Sequence, residues 1–247
     1  MTGRTELKPL FEELDRRADL GDPLQLWLRD DDAVAPSEPL DRLLQLTNHH
    51  GVPTLLAVIP AFTGVELQQR LALEKGVEVA VHGWAHANHA GAGEKSRELG
   101  LHRSLATVLA ELARGRERLA SLYAARFVSM LVPPWNRIDG EIIDNLEGLG
   151  FEALSVFGPE KPAPLTMLNT HVDIMDWRGT RGGRPVGAVV ADLVAMSQSH
   201  KGPVGLLTHH LVHDVAAWDL LGQLFAVTGE HAGCRWRSAG YLLADKG

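Results

Sequence analysis

Two histidines four residues apart, His82 and His86, follow an acidic cluster, Asp30-Asp31-Asp32, by about fifty residues. Two imidazoles and one carboxylate are the minimum protein ligand set for a catalytic divalent metal that keeps a position open for water. A second carboxylate beside the ligand would then be free to move protons. Each piece alone has a plainer reading. Three aspartates commonly mark a turn or a helix N-cap, and a chain with 12 histidines will place some of them four apart by coincidence.

Further clusters strengthen the chemical reading. Pro133-Pro134-Trp135-Asn136, Asp173-Ile174-Met175-Asp176-Trp177 and His209-His210 each bring aromatic or titratable groups together in a few residues. What places them is the pattern of elements around them. Short apolar runs predict strands at 24–30, 53–59, 77–81, 126–132, 152–157, 168–174 and 203–208, and amphipathic stretches predict helices at 37–50, 64–75, 96–124, 138–149, 186–200 and 215–228. Gly51, Gly76 and Gly150 sit where those helices should stop. Strands alternating with helices imply a mostly parallel sheet covered by helices. All five chemical clusters then fall at the C-terminal ends of strands, and in a parallel barrel those ends open on one mouth.

Composition sets the frame. The chain has 247 residues, 45% hydrophobic and 22% charged, enough for one sizeable core, and reads as a single domain over 1–247. With 24 basic against 31 acidic residues and no basic patch, nucleic acid and anionic membranes are not expected partners. The single cysteine, Cys234, excludes an internal disulfide framework. Neither an apolar signal-peptide core nor an 18-residue apolar run is present, which leads to the expectation of a cytoplasmic protein.

In order and spacing the clusters resemble the motifs of the polysaccharide deacetylases with a NodB-type homology domain, carbohydrate esterase family 4. The matching residues are Asp31-Asp32, His82-x-x-x-His86, Pro134-Trp135, Asp173-x-x-Asp176-Trp177 and Leu207-x-His209, spanning most of the chain. The resemblance implies a distorted (β/α) barrel of about seven parallel strands and a divalent metal, with zinc the expected ion, held by Asp32, His82 and His86. It makes Asp31 the general base, His209 the acid that protonates the leaving amine, and Asp176 a group orienting a catalytic partner. Trp135, Asn136 and Trp177 are expected to contact substrate, as are Arg137 and Arg178. The acidic pair is read as Asp31-Asp32, because Ala33 then takes the position of a small residue; a register of Asp30-Asp31 would put Asp32 there instead.

Two positions depart from the family pattern. Val132 stands where the motif has the arginine that orients the base, leaving Arg29, Arg137 or Arg178 to supply it, and His210 stands where an aspartate generally follows the late histidine. The expected activity is removal of an N-acetyl group from a carbohydrate or small N-acylated sugar, and Arg137, Arg178 and Arg181 near the mouth would suit an anionic one. A hydrolase of small ureides or imides, and a sugar-binding protein without catalysis, are the other readings.

Overall fold

The computed structural model describes residues 5–245. After a first helix α1 (Lys8–Asp19), the chain alternates β1 (Leu24–Ala33), α2 (Glu38–His49), β2 (Thr54–Val58), α3 (Val65–Ala72), β3 (Val77–His82), α4 (Leu105–Tyr123) and β4 (Phe127–Val132). A one-turn helix α5 (Gly140–Ile143) leads to β5 (Ala153–Leu154), β6 (Thr166–Met167) and β7 (Val172–Asp173). The chain continues through α6 (Val186–Ser199), β8 (Val204–Thr208), α7 (Val215–Thr228), β9 (Cys234–Trp236) and α8 (Ala239–Ala244). No helix among the described residues is long and apolar enough to cross a membrane.

Every strand pairing is parallel, in the order β6-β5-β4-β3-β2-β1-β8-β7, with β9 added beside β1. β6 and β7 are two ends of one extended run that changes partners. Leu168 and Thr170 donate backbone N–H bonds to β5 and its continuation at Leu154 and Val156, and His171 and Ile174 donate to Gly205 and Leu207 of β8. That run links the two edges of the sheet, so seven strand paths curl into a distorted (β/α) barrel, as the family resemblance implied.

Side-chain alternation along β1 sorts the layers. Leu26 and Leu28 face outward and pack with Leu40 and Leu44 of α2 and with Leu220 and Leu224 of α7. Trp27 faces inward with Leu55, Ala57, Ala80, Met130 and Leu168, and Ala239 and Leu242 of α8 join this inner cluster. α8 is tied down by Glu78 at the start of β3, whose carboxylate accepts the Gly240 N–H at 3.0 Å.

The helices begin where short polar side chains cap them: Ser37 Oγ accepts the Leu40 N–H, Ser104 the Thr107 N–H, and Asp214 the Ala217 N–H. Two sequence expectations are revised. The helix expected at 96–124 starts only at Leu105, because Leu99 is drawn into a bridge with Ile138 rather than onto a helix face. The helix expected at 138–149 is cut to Gly140–Ile143 and a separate turn at Glu147–Leu149, in a stretch weakened by two glycines, Gly140 and Gly148. Helix α1, strand β9 and helix α8 lay outside the expected set.

The seam at β7–β8 depends on a missing side chain. A Cβ on Gly205 would lie 2.5 Å from both Asn169 O and Trp27 Nε1, where Trp27 Nε1 donates to Asn169 O at 3.2 Å. Gly205→Ala is expected to lower stability by about 1–3 kcal/mol through overpacking, measured as a fall in the urea midpoint at unchanged slope.

Candidate metal and acid–base site

The site begins with a fault in β1. Asp30 pairs with Leu56 and Ala33 with Val58, so one more residue lies on β1 than on β2 between those pairs, and Asp32 takes a positive φ of 75°. Such a bulge re-aims side chains. Neighbours on a regular strand point to opposite faces; here Asp31 and Asp32 both serve the mouth, one buried and the other half-buried.

Asp32 meets the two histidines. Its Oδ1 lies 3.0 Å from His82 Nε2 and 3.3 Å from His86 Nε2. His82 Nδ1 lies 2.9 Å from the Val132 carbonyl, which can only accept, so Nδ1 carries a proton and in the neutral ring Nε2 turns a lone pair toward the carboxylate. Two lone pairs at 3.0 Å repel unless positive charge lies between them. A divalent cation or an added proton satisfies that demand, and the donor set of one carboxylate and two imidazoles fits the cation. Burial disfavours the Asp32 charge, but the His82 hydrogen bond and the nearby histidines outweigh it and hold the carboxyl below its ordinary range. Burial likewise opposes a charged His82, and Asp32 and Asp31 together raise it.

The loop carrying His82 and His86 is held from behind by Glu98, a buried residue that no motif singled out. Its carboxylate accepts the backbone N–H groups of Trp84, Ala85 and Ala87 at 3.2, 2.8 and 3.4 Å. Gly83, with φ +61°, is required at the turn, since a Cβ there would lie 2.0 Å from Glu98 Oε2 and 2.7 Å from Pro134. Four of the six described non-glycine residues with positive φ are Asp32, His86, Trp135 and Asn136. Strain of this kind persists only where surrounding contacts impose it.

Arg29 occupies the place left by Val132. Two residues before Asp31 on β1, it shares the inward face. Its Nη2 donates to Asp31 Oδ2 at 3.0 Å, and its Nε lies 2.9 Å from Asp31 Oδ1 as an ion pair without hydrogen-bond alignment, both fully out of solvent. Its remaining protons go to Asn136 Oδ1 at 2.7 Å and to Ser155 Oγ and O at 2.8 and 3.2 Å. Asn136 is thereby engaged with Arg29 and holds that guanidinium in place. Across the mouth, His209 Nε2 lies 3.9 Å from Asp31 Oδ2, and the Trp177 ring stands edge-on to the His209 ring at 4.8 Å. The Trp135 ring packs on His86 at 4.2 Å.

The Asp173–Trp177 segment divides its roles. Asp173 accepts the Trp177 Nε1–H at 2.8 Å and the Met175 N–H at 2.9 Å, and burial raises its carboxyl. Asp176 instead accepts the backbone N–H groups of Gly179 and Thr180 at 3.0 and 3.1 Å within its own turn. Trp177, whose indole Asp173 holds, touches the His209 ring, so it is the side chain of Asp173 rather than of Asp176 that is linked to the mouth. Arg137 donates to Ser96 O at 2.8 Å, while Arg178 and Arg181 are exposed on the same turn.

A second group, Glu160, His171 and His200, also brings three metal-type donors together. There His171 Nδ1 accepts the Gly205 N–H at 3.1 Å, so in the neutral ring Nε2 carries the proton and offers no lone pair to a cation.

Two outcomes are expected from these contacts. Arg29→Met leaves the Asp31 charge buried without its partner and should cost about 3–5 kcal/mol in urea unfolding. His213 packs edge-on against Trp218, and burial pushes its pKa down to about 4. The unfolded imidazole, near 6.5, binds a proton that the folded one refuses, so this stabilising term is full above about 6.5 and is lost as pH falls toward 4. His213→Phe should therefore lose less stability than the parent between pH 6.5 and 4, measured by unfolding at several pH values.

No family model matches the chain, and no curated protein matches it in sequence. Solved structures do. A candidate polysaccharide deacetylase from Mycobacterium smegmatis superposes with a TM-score of 0.68 at 18% identity, over 92% of each chain. The peptidoglycan deacetylase PdaC from Bacillus subtilis gives 0.58 at 16% identity, over 92% of this chain and 94% of that one. A family 4 carbohydrate esterase from Streptomyces lividans, solved with acetate, gives 0.54 at 16% identity over 82% and 86%. The bulged first strand, the barrel and the polar mouth of this chain are thus built on the fold of the family 4 carbohydrate esterases.

Proposed function

We propose that this protein is a metal-dependent amide hydrolase that removes an N-acetyl group from a carbohydrate or small sugar derivative. The observation that carries the reading is the convergence at one mouth of a metal-type ligand set, a carboxylate held at two points by Arg29, and an imidazole 3.9 Å beyond that carboxylate. Solved proteins of the same fold include one described as a deacetylase with substrate.

Asp32, His82 and His86 would hold the ion, zinc being well suited to nitrogen and carboxylate donors. When bound, a divalent ion supplies a Lewis acid and lowers the pKa of water in contact with it. Asp31 accepts a proton from water as the water oxygen bonds to the acetamido carbonyl carbon. Arg29 aims the carboxylate at that proton by holding both of its oxygens. As the C–N bond breaks, His209 gives a proton to the departing nitrogen, and acetate and a free amine result. Trp135 and Trp177 would wall the pocket against the acetyl methyl and the sugar face.

For the substrate we infer a small N-acylated sugar with an anionic group. Arg178 and Arg181 support this, being exposed beside Trp177 on the turn that borders His209. With purified zinc-loaded protein, acetate release should be faster from anionic N-acetyl monosaccharide derivatives than from neutral chitin oligomers. Asp31→Asn and His209→Ala should keep metal and lose about 10²–10⁴-fold in turnover, while His82→Ala should lose the metal and stay folded. Full metal occupancy in His82→Ala, or equal turnover in all variants, would refute the assignment.

A further inference from the structure

Asp30 has no part in the chemistry described above. It faces away from Arg29 and Asp31, toward the layer between sheet and helices, and is fully buried. There its Oδ2 accepts the backbone N–H of His210 at 2.8 Å, and its Oδ1 pairs with His210 Nδ1. His210 is itself buried, and it opens the short turn His210–Val212 that packs beside α2.

Consecutive residues of β1 thus reach consecutive residues at the exit of β8: Asp31 faces His209 on the mouth side, and Asp30 takes His210 on the outer side. The N–H that Asp30 holds lies in the plane of the peptide joining His209 to His210. Fixing that plane fixes ψ of His209, here 87°, and with it the direction in which the imidazole leaves the backbone. His209 makes no side-chain hydrogen bond of its own at Nδ1, so the backbone carries much of its orientation.

We propose that Asp30 is a positioning residue for His209, acting through the His210 peptide and ring. This inference rests on the deacetylase reading for the role of His209, not for the geometry. It also accounts for the chain's departure at His210: the carboxylate that generally follows the late histidine is replaced by one from β1, with the imidazole on the other side of the pair.

A double-mutant cycle tests it. In zinc-loaded protein, Asp30→Ala should lower kcat by up to about 10²-fold, with KM and zinc affinity close to the parent's, because the buried Asp30 carboxylate contacts His210 and not the mouth. Asp30→Asn, which still offers an oxygen to the His210 N–H, should regain most of the loss. In a His209→Ala background, Asp30→Ala should change kcat little, because the residue it positions is gone. An equal loss in both backgrounds, or no rescue by Asn, overturns the proposal.

If Asp30→Ala does not fold, Asp30→Ser, which leaves a hydroxyl near the buried His210, takes its place with the same expectations. If the parent protein releases no acetate, the deacetylase reading fails and the positioning role is read by NMR instead. The His209 ring signal should then shift or split in Asp30→Ala and return in Asp30→Asn, and an unchanged signal overturns the role.

Discussion

The structure depends on one extra residue in β1. Without the bulge, Asp31 and Asp32 would point to opposite faces, and the two carboxylates could not share a mouth. The positive φ of Asp32 is the cost of that arrangement, and it is sustained by neighbours on both sides: β2 and β8 pair with the residues before it, and Ala33 resumes pairing with Val58 after it. A strained residue in the middle of a sheet is better constrained than one in a loop, which is why a site built there can be held to a narrow geometry.

From that strand the support of the site radiates. Arg29 reaches Asn136 and Ser155 on the far wall, 107 and 126 residues away in sequence, so β1, β4 and β5 are tied by one buried guanidinium. Asp30 ties β1 to the exit of β8. Both of the residues by which the chain departs from the deacetylase pattern, Val132 and His210, are answered by side chains of β1 at positions 29 and 30. An arginine can reach Asp31 from β1 because the contact depends on where the planar fork lies relative to the carboxylate, not on which strand carries it.

Much of this was legible in the sequence. Apolar runs gave the strands, and polar clusters at their ends gave the mouth, since a buried strand has to be apolar and a strand terminus does not. His82 and His86 could be paired from spacing, and Asp32 was joined to them by the family resemblance. What could not be read was anything dependent on the path between elements. Glu98 lies in a stretch whose leucines mimic helix periodicity, and its role is to accept backbone donors that no sequence pattern announces. Asn136 was read as a substrate contact because a polar amide in a mouth loop looks available; its positive φ turns it to Arg29. Asp176 was read from its motif position, whereas its local turn supplies two backbone donors closer than any imidazole. α8 was missed because six residues give too little periodicity to be noticed, although two of them finish the inner core.

That last point bears on how the molecule comes into being. The interior of the barrel around Trp27, Leu55 and Met130 is floored by Ala239 and Leu242, while the residues of the mouth are all in place by His213. During synthesis from the N-terminus, every chemical group of the site exists before the floor does. Without that floor the inner apolar wall around Trp27 would be open to water from below.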